Sequence, residues 1–400
     1  MYQRFLEAKL VRNILPVIFV NGARQVGKST LVKKLFSNTH DYLTLDDPQV
    51  LSLAKKDPLN FIRYAKNPLI IDEVQRCPDL LLAIKTIVDE NRMPRQFILT
   101  GSVNILQLSS VKESLAGRMA MYTLWPLSQE EIMNNQSLFL ENLLKGVIDR
   151  HAPTDIDLVA NIKKGGYPLA VLSRDQYHRQ EWLSAYLTQI LEKDIRDLSN
   201  IEGLSDVPNI LGLLASRTGS LINVSDLSRS LQIPHTTLKR YLSLLQMTYL
   251  FCPIKPWFKN LGKRLTKSEK AFLIDTSLLE FVLHKDVESD PLIFGHVLEN
   301  YVAMELVKQL SYKTIQAQLF HYRTISGEEV DFILETPDGN LVGIEVKNSS
   351  QFSPKSIRGL SLLKGQVKDK FKMGVVLYRG TQVLPIEANI YAVPITYLWS

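Results

Sequence analysis

Short apolar runs that end in small or acidic residues recur through the first third of the chain. Val17-Ile18-Phe19-Val20 reads as a buried strand and runs into Asn21-Gly22. Asp41-Tyr42-Leu43-Thr44-Leu45 reads as a second strand and ends in Asp46-Asp47. Pro68-Leu69-Ile70-Ile71 ends in Asp72-Glu73, and Gln96-Phe97-Ile98-Leu99 ends in Thr100-Gly101-Ser102. Residues 119–124 make a further strand, closed by Trp125-Pro126-Leu127-Ser128. Between the strands the spacing turns helical: residues 31–36, a stretch broken and restarted at Asp57-Pro58, and residues 111–117 ending at Gly117. Strands alternating with helices predict an α/β domain with a parallel sheet.

Beyond residue 127 the period changes. Ser128-Gln129-Glu130-Glu131 has the form of a helix start with acids in its first turn. Arg150-His151-Ala152-Pro153-Thr154-Asp155 is a candidate linker, and residues 182–197 make a helix with Trp182, Tyr186, Ile190 and Leu191 on one face. Asn223 caps a short helix, Gln232-Ile233-Pro234-His235 turns, and residues 236–245 make a second helix. This helix-turn-helix pattern predicts a winged-helix subdomain. Residues 294–310 then read as one helix, and residues 329–334 and 341–347 alternate as strands. Pro337-Asp338-Gly339-Asn340 between those strands is hairpin-turn chemistry. The expected division is residues 1–150 as a parallel-sheet domain, 151–285 as a helical lid and winged helix, and 286–400 as a second α/β domain.

Composition sharpens this only in places. Four hundred residues, 45% of them hydrophobic, suit two or three cores rather than one. Two cysteines, Cys77 and Cys252, rule out a disulfide framework and fit a reducing compartment. No uncharged run reaches the length of a membrane span, and the first residues carry charge where a signal peptide is apolar, so a soluble cytoplasmic protein is expected. Net charge is +6, and the densest basic stretch (Lys255, Lys259, Lys263, Arg264, Lys267 and Lys270, with Trp257 and Phe258 among them) follows the helix-turn-helix. As a wing it would contact DNA phosphates; as a packing module it would not.

The chemistry begins at the first strand. Gly22, Ala23, Arg24, Gln25, Val26, Gly27, Lys28 and Ser29 fit Gly-x-x-x-x-Gly-Lys-Ser/Thr, with Thr30 opening the helix. Such a loop aims N–H groups at phosphate oxygens, helped by the helix N-terminus. Lys28 is placed to reach the β- and γ-phosphates of ATP, and the Ser29 hydroxyl to ligate Mg²⁺. A P-loop enzyme needs an acid-ended strand opposite: Asp72 holds Mg²⁺ through water and Glu73 is the general base. Strand C-termini line the crevice of an open parallel sheet, so Thr100 or Ser102 is a candidate γ-phosphate sensor; ordinary turn chemistry is the alternative.

The P-loop, Ile-Ile-Asp-Glu-Val, Leu-Thr-Gly-Ser and Leu-Ala-Gly-Arg before Pro-Leu-Ser together resemble an AAA-type ATPase domain. The chain is similar to a large prokaryotic family in which that domain precedes a C-terminal domain of unknown function. The resemblance is strongest over residues 17–127. It implies that Arg118, just before the last core strand, is an arginine finger, for which a homo-oligomer is a candidate state; a surface arginine after a helix cap is the alternative. Farther on, period two puts Glu345 and Lys347 on one strand face, with Asp331 on the neighbouring strand and Glu299 in the preceding helix. An Asp followed by Glu-x-Lys resembles the PD-(D/E)XK nuclease core, with Val330-Asp331 where the motif has Pro-Asp. That resemblance implies a divalent-metal site on Glu299, Asp331 and Glu345, with Lys347 orienting water or stabilising charge. Three functions follow: an ATP-driven machine that acts on DNA, a nucleotide-switched regulator whose nuclease-like domain is silent, or a remodelling ATPase whose tail recruits a protein partner.

Overall fold

The structure is a computed structural model that describes all residues except 1, 65–67, 104–114, 150–155, 200–203, 261, 263, 265–266 and 325. The candidate linker at 150–155, most of the helix expected over 111–117, and Lys263 lie outside the described residues. The chain forms two compact units: Gln3–Pro126 with Leu244–Leu250, and Leu127–Ser243 with Phe251–Ser400.

The first unit is built on a parallel sheet of β1 (Val17–Asn21), β2 (Asp41–Thr44), β3 (Leu69–Asp72), β4 (Phe97–Gly101) and β5 (Met119–Thr123), in the order β2-β3-β4-β1-β5. The inner strands β1, β3 and β4 are buried along their whole length, which is why they are unbroken apolar runs rather than alternating ones. The edge strands β2 and β5 are less buried, and their sequences are correspondingly mixed. Because β4 lies between β1 and β3, the acid at the end of β3 is one strand removed from the P-loop. Thr100 of β4 stands beside Val20 of β1. The expected break at Asp57 is present, with helices Pro48–Lys56 and Pro58–Tyr64 on either side. Asp47 caps the first of these by accepting from the amides of Gln49 and Val50.

The second unit carries a six-stranded mixed sheet: β8 (Gln318–Arg323), β9 (Glu329–Glu335), β10 (Leu341–Lys347), β11 (Phe371–Tyr378), β12 (Leu384–Glu387) and β13 (Ile390–Pro394), in the order β12-β13-β11-β10-β9-β8. The hairpin between β9 and β10 closes through Thr336 and Asn340, with Gly339 at φ 77°. Helix Pro291–Tyr312 precedes the sheet, and helix Arg358–Val367 joins β10 to β11, which pair in parallel. The helix-turn-helix is also present: Val224–Leu231, capped by Asn223, then left-handed Gln232, then a helix starting at His235.

The basic stretch after it takes a different course from a free wing. Strands β6 (Phe251–Ile254) and β7 (Lys270–Leu273) form an antiparallel pair. The continuation of β6 is bound to β8: the His321 amide donates to Lys255 O (3.0 Å) and the Trp257 amide to His321 O (2.6 Å). Arg264 is mostly buried, clasps both carboxylate oxygens of Glu335 and lies over Trp257 and Phe320. Lys270 is almost completely buried. Two of the six basic residues expected to meet phosphates are thus internal counter-ions. Burial of a guanidinium or an ammonium demands a paired carboxylate, and the chain supplies one for each.

The helix start at Ser128 is a capping box: the Glu131 amide donates to Ser128 Oγ and the Ser128 amide to Glu131 Oε2. Its neighbour Glu130 is fully buried, 3.2 Å from Lys313 Nζ, and accepts from the Tyr312 hydroxyl at 2.6 Å. Burial pushes its pKa up from 4.5 to about 7, against the opposing pull of Lys313 and Tyr312. The folded state therefore holds a proton here that the unfolded chain releases. Glu130 lends stability at low pH and loses it as pH rises from about 4.5 through about 7. In urea unfolding of the wild type and Glu130→Gln from pH 5 to pH 8, the wild type is expected to lose more stability across that range. Parallel profiles would show that Glu130 titrates normally.

Candidate functional site

Between β1 and helix Lys28–Phe36 the chain makes the loop that the glycine pattern requires. Gly22 has φ 144°, and a Cβ there would stand 2.1 Å from the Leu124 carbonyl oxygen, so no side chain fits. Gly27, the residue before the helix, has φ 94° and Gln25 has φ 59°. Lys28 is buried and curls over the loop, donating to the carbonyls of Gly22 (2.9 Å) and Ala23 (2.8 Å). Arg4 braces the loop from behind, donating to Val26 O (2.7 Å) and Trp125 O (2.6 Å).

Asp72, the last residue of β3, is the hub of the site. Its Oδ1 accepts from Ser29 Oγ at 2.9 Å and from the Thr100 hydroxyl; its Oδ2 accepts from the Tyr42 hydroxyl at 2.5 Å. Burial and the Asp72 carboxylate raise the Tyr42 pKa, so the phenol stays a donor. Glu73 follows in a left-handed conformation, φ 58°, which turns its side chain out of the strand direction. Its amide donates to Thr100 Oγ1 at 3.2 Å. Its carboxylate accepts from Ser102 Oγ (2.9 Å) and from Gln75, which also donates to Ser102 (3.0 Å). Thr100 is completely buried, and both functions of its hydroxyl are engaged by Asp72 and Glu73. It positions the two acids. Tyr42 and Gln75 are site residues that the sequence reading missed. Each reaches the acids from a neighbouring strand or turn, which no local motif encodes.

These residues fit ATP and Mg²⁺. Ser29 and Asp72 present an alcohol and a carboxylate oxygen side by side at a helix N-terminus, the hard oxygen donors that Mg²⁺ takes. A buried lysine already shares hydrogen bonds with the surrounding loop. Arg118 stands elsewhere. It immediately precedes β5, beside the start of β1, with its carbonyl accepting from the Val17 amide. The P-loop leaves the other end of β1, so Arg118 is at the opposite end of the strands. Its guanidinium pairs with Asp89.

In the second unit the four residues expected to converge do so. Asp331 and Glu345 are on paired strands, and Asp331 Oδ2 accepts from the Val346 amide at 2.8 Å. Lys347 Nζ is 3.1 Å from Glu345 Oε2. The expected metal position, however, is taken by a residue the sequence reading had placed in the wing. Lys270 Nζ lies 2.8 Å from Glu299 Oε1 and 3.4 Å from Asp331 Oδ1. Among the described residues no group of three His, Cys, Asp or Glu side chains is arranged to hold a metal ion.

Comparison with known proteins matches three stretches of the chain. Residues 15–133 match the model of the AAA domain family, residues 156–290 a domain of unknown function (DUF8612), and residues 294–398 a second domain of unknown function (DUF4143). The N-terminal α/β unit thus contains an AAA-type P-loop ATPase domain, and the C-terminal mixed sheet is a separate module. An uncharacterized protein of Mycobacterium tuberculosis is 28% identical over 95% of this chain and 80% of its own length. One of Methanocaldococcus jannaschii is 22% identical over 99% and 90%. Among solved structures, a Walker-type ATPase of Pyrococcus abyssi is similar at a TM-score of 0.41 and 14% identity, over 70% of this chain and 96% of that one. No helix among the described residues is long and apolar enough to cross a membrane.

Proposed function

We propose that the first unit binds ATP with Mg²⁺ and hydrolyses it, and that the nucleotide state controls what the second unit binds. The observation that supports this most is the hydrogen-bonded chain Ser29–Asp72–Thr100–Glu73 beside a lysine-bearing P-loop. On this reading Lys28 exchanges its loop carbonyls for the β- and γ-phosphate oxygens. Ser29, and Asp72 through water, would hold Mg²⁺, which would supply neutralisation of the phosphate charge. Glu73 takes the proton of the attacking water, and Ser102 and Gln75 fix where its carboxylate points. The test is Mg²⁺-dependent phosphate release by the purified protein. No turnover above the Lys28→Ala background would refute it.

On this proposal Arg118 acts as a finger only between subunits. A five-residue strand separates it from its own P-loop, about 16 Å, too far for a side chain already tied to Asp89. Arg118→Ala is expected to slow hydrolysis by tenfold or more in a homo-oligomer while leaving ATP affinity nearly unchanged. Mixing Arg118→Ala with Glu73→Gln subunits is expected to restore some turnover, because each supplies what the other lacks. Failure of the mixture to exceed either parent would leave Arg118 as a structural partner of Asp89.

A second reading keeps DNA as the target. The order helix, three antiparallel strands, helix, parallel strand favours it, because this is the order of the nuclease-like core. It expects ATP turnover to rise with added duplex DNA. Turnover indifferent to DNA supports the protein-partner output instead.

A further inference from the structure

The acidic cluster of the second unit is built from four separate elements. Glu299 comes from helix Pro291–Tyr312, Asp331 from β9, Glu345 and Lys347 from β10, and Lys270 from β7. The strand pair β6–β7 is carried to this place by its own continuation, which pairs with His321 of β8. The side chain of Lys270 is 2% exposed, those of Asp331 and Glu345 are 6% and 4%, and only Lys347 reaches solvent appreciably. Gly219 and Gly359 close over the carboxylates: a Cβ on Gly219 would stand 2.9 Å from Glu299 Oε2, and one on Gly359 3.2 Å from Glu345 Oε1.

We infer that Lys270 is the resident cation of this cluster and occupies the place that a divalent metal ion would take. Two lysines face the three carboxyl groups: Lys270 Nζ meets Glu299 and Asp331, and Lys347 Nζ meets Glu345. Burial by itself would lower the Lys270 pKa, but the facing Glu299 and Asp331 carboxylates outweigh it and hold the ammonium charged. Four of the six carboxyl oxygens are also engaged: both of Asp331 by the Val346 amide and Lys270, one of Glu345 by Lys347 and one of Glu299 by Lys270. A Mg²⁺ ion needs oxygens at about 2.0–2.1 Å and keeps several waters. An ammonium at 2.8 Å from one carboxylate and 3.4 Å from the next leaves no such room. The lysine also ties β7 to the C-terminal sheet by a side chain that cannot diffuse away, as a metal can.

The experiment uses the full chain without nucleotide, titrated with Mn²⁺ alone. Bound metal is read from the loss of the free Mn²⁺ paramagnetic resonance signal, and folding from the melting temperature. Lys270→Ala leaves three carboxylates facing one lysine. It is expected to bind Mn²⁺ at least tenfold more tightly than the wild type and to melt at a higher temperature with Mn²⁺ than with a chelator. Adding Glu345→Gln is expected to abolish both effects. If Lys270→Ala is unfolded without metal, Mn²⁺ is expected to refold it. Wild-type Mn²⁺ binding that disappears with Glu345→Gln would overturn the inference. So would a Lys270→Ala chain that neither gains Mn²⁺ binding nor is refolded by it. ATP turnover in the same preparations bears on the first unit alone, so the two readings fail separately.

Discussion

Glu73→Gln is expected to hold ATP and to hydrolyse it on the order of a hundredfold or more slower, the range a lost general base produces. The substitution preserves shape and removes only the proton acceptor. The site tolerates it for identifiable reasons. Glu73 sits in a left-handed conformation that Gln adopts as readily. Its amide bond to Thr100 does not depend on the side chain. A glutamine oxygen can still accept from Ser102, as the carboxylate does at 2.9 Å. Asp72, Ser29 and Lys28 are untouched, so the nucleotide should stay bound and accumulate. The measurement is single-turnover ATP cleavage alongside equilibrium binding. Normal turnover in Glu73→Gln, with none in Lys28→Ala, would assign water activation to another group.

Lys28→Ala is expected to weaken ATP binding by roughly a hundredfold. Charge-assisted hydrogen bonds to two phosphates are together worth about 3 kcal/mol, and each 1.4 kcal/mol is tenfold. The fold should survive. Lys28 donates to the carbonyl oxygens of Gly22 and Ala23 in its own loop, and its removal leaves those two as neutral acceptors. The loop backbone is held independently by Arg4 on Val26 O. A fluorescent nucleotide titration paired with a melting curve separates the outcomes. Unchanged affinity with unchanged melting would remove Lys28 from the site. Lost affinity with a collapsed melting temperature would mean that the lysine is a structural brace for the loop.

The P-loop was legible because its chemistry is local: Gly22, Gly27, Lys28 and Ser29 are fixed by backbone angles and by one strand–loop–helix passage. The acids at the end of β3 were legible for a related reason, since buried parallel strands are apolar until they reach the ligand edge of the sheet. Glu345 and Lys347 followed from the period of two, and the hairpin between β9 and β10 from its turn residues. In the middle of the chain, the pattern located both helices of the helix-turn-helix and the capping box at Ser128.

What sequence could not determine was the destination of long side chains that cross between elements. Tyr42 and Asp72 are 30 positions apart and meet because β2 and β3 are neighbours in register. Arg264 and Lys270 sit in the most basic stretch of the chain, where a count of charges suggests a solvent-facing surface. Their burial depends on Glu335, Glu299 and Asp331, which lie 29 to 71 positions away. A lysine in solvent and a lysine replacing a metal ion are written with the same letter. The difference is the set of carboxylates that folding brings within about 3 Å of its ammonium, where the loss of water makes the charges depend on one another.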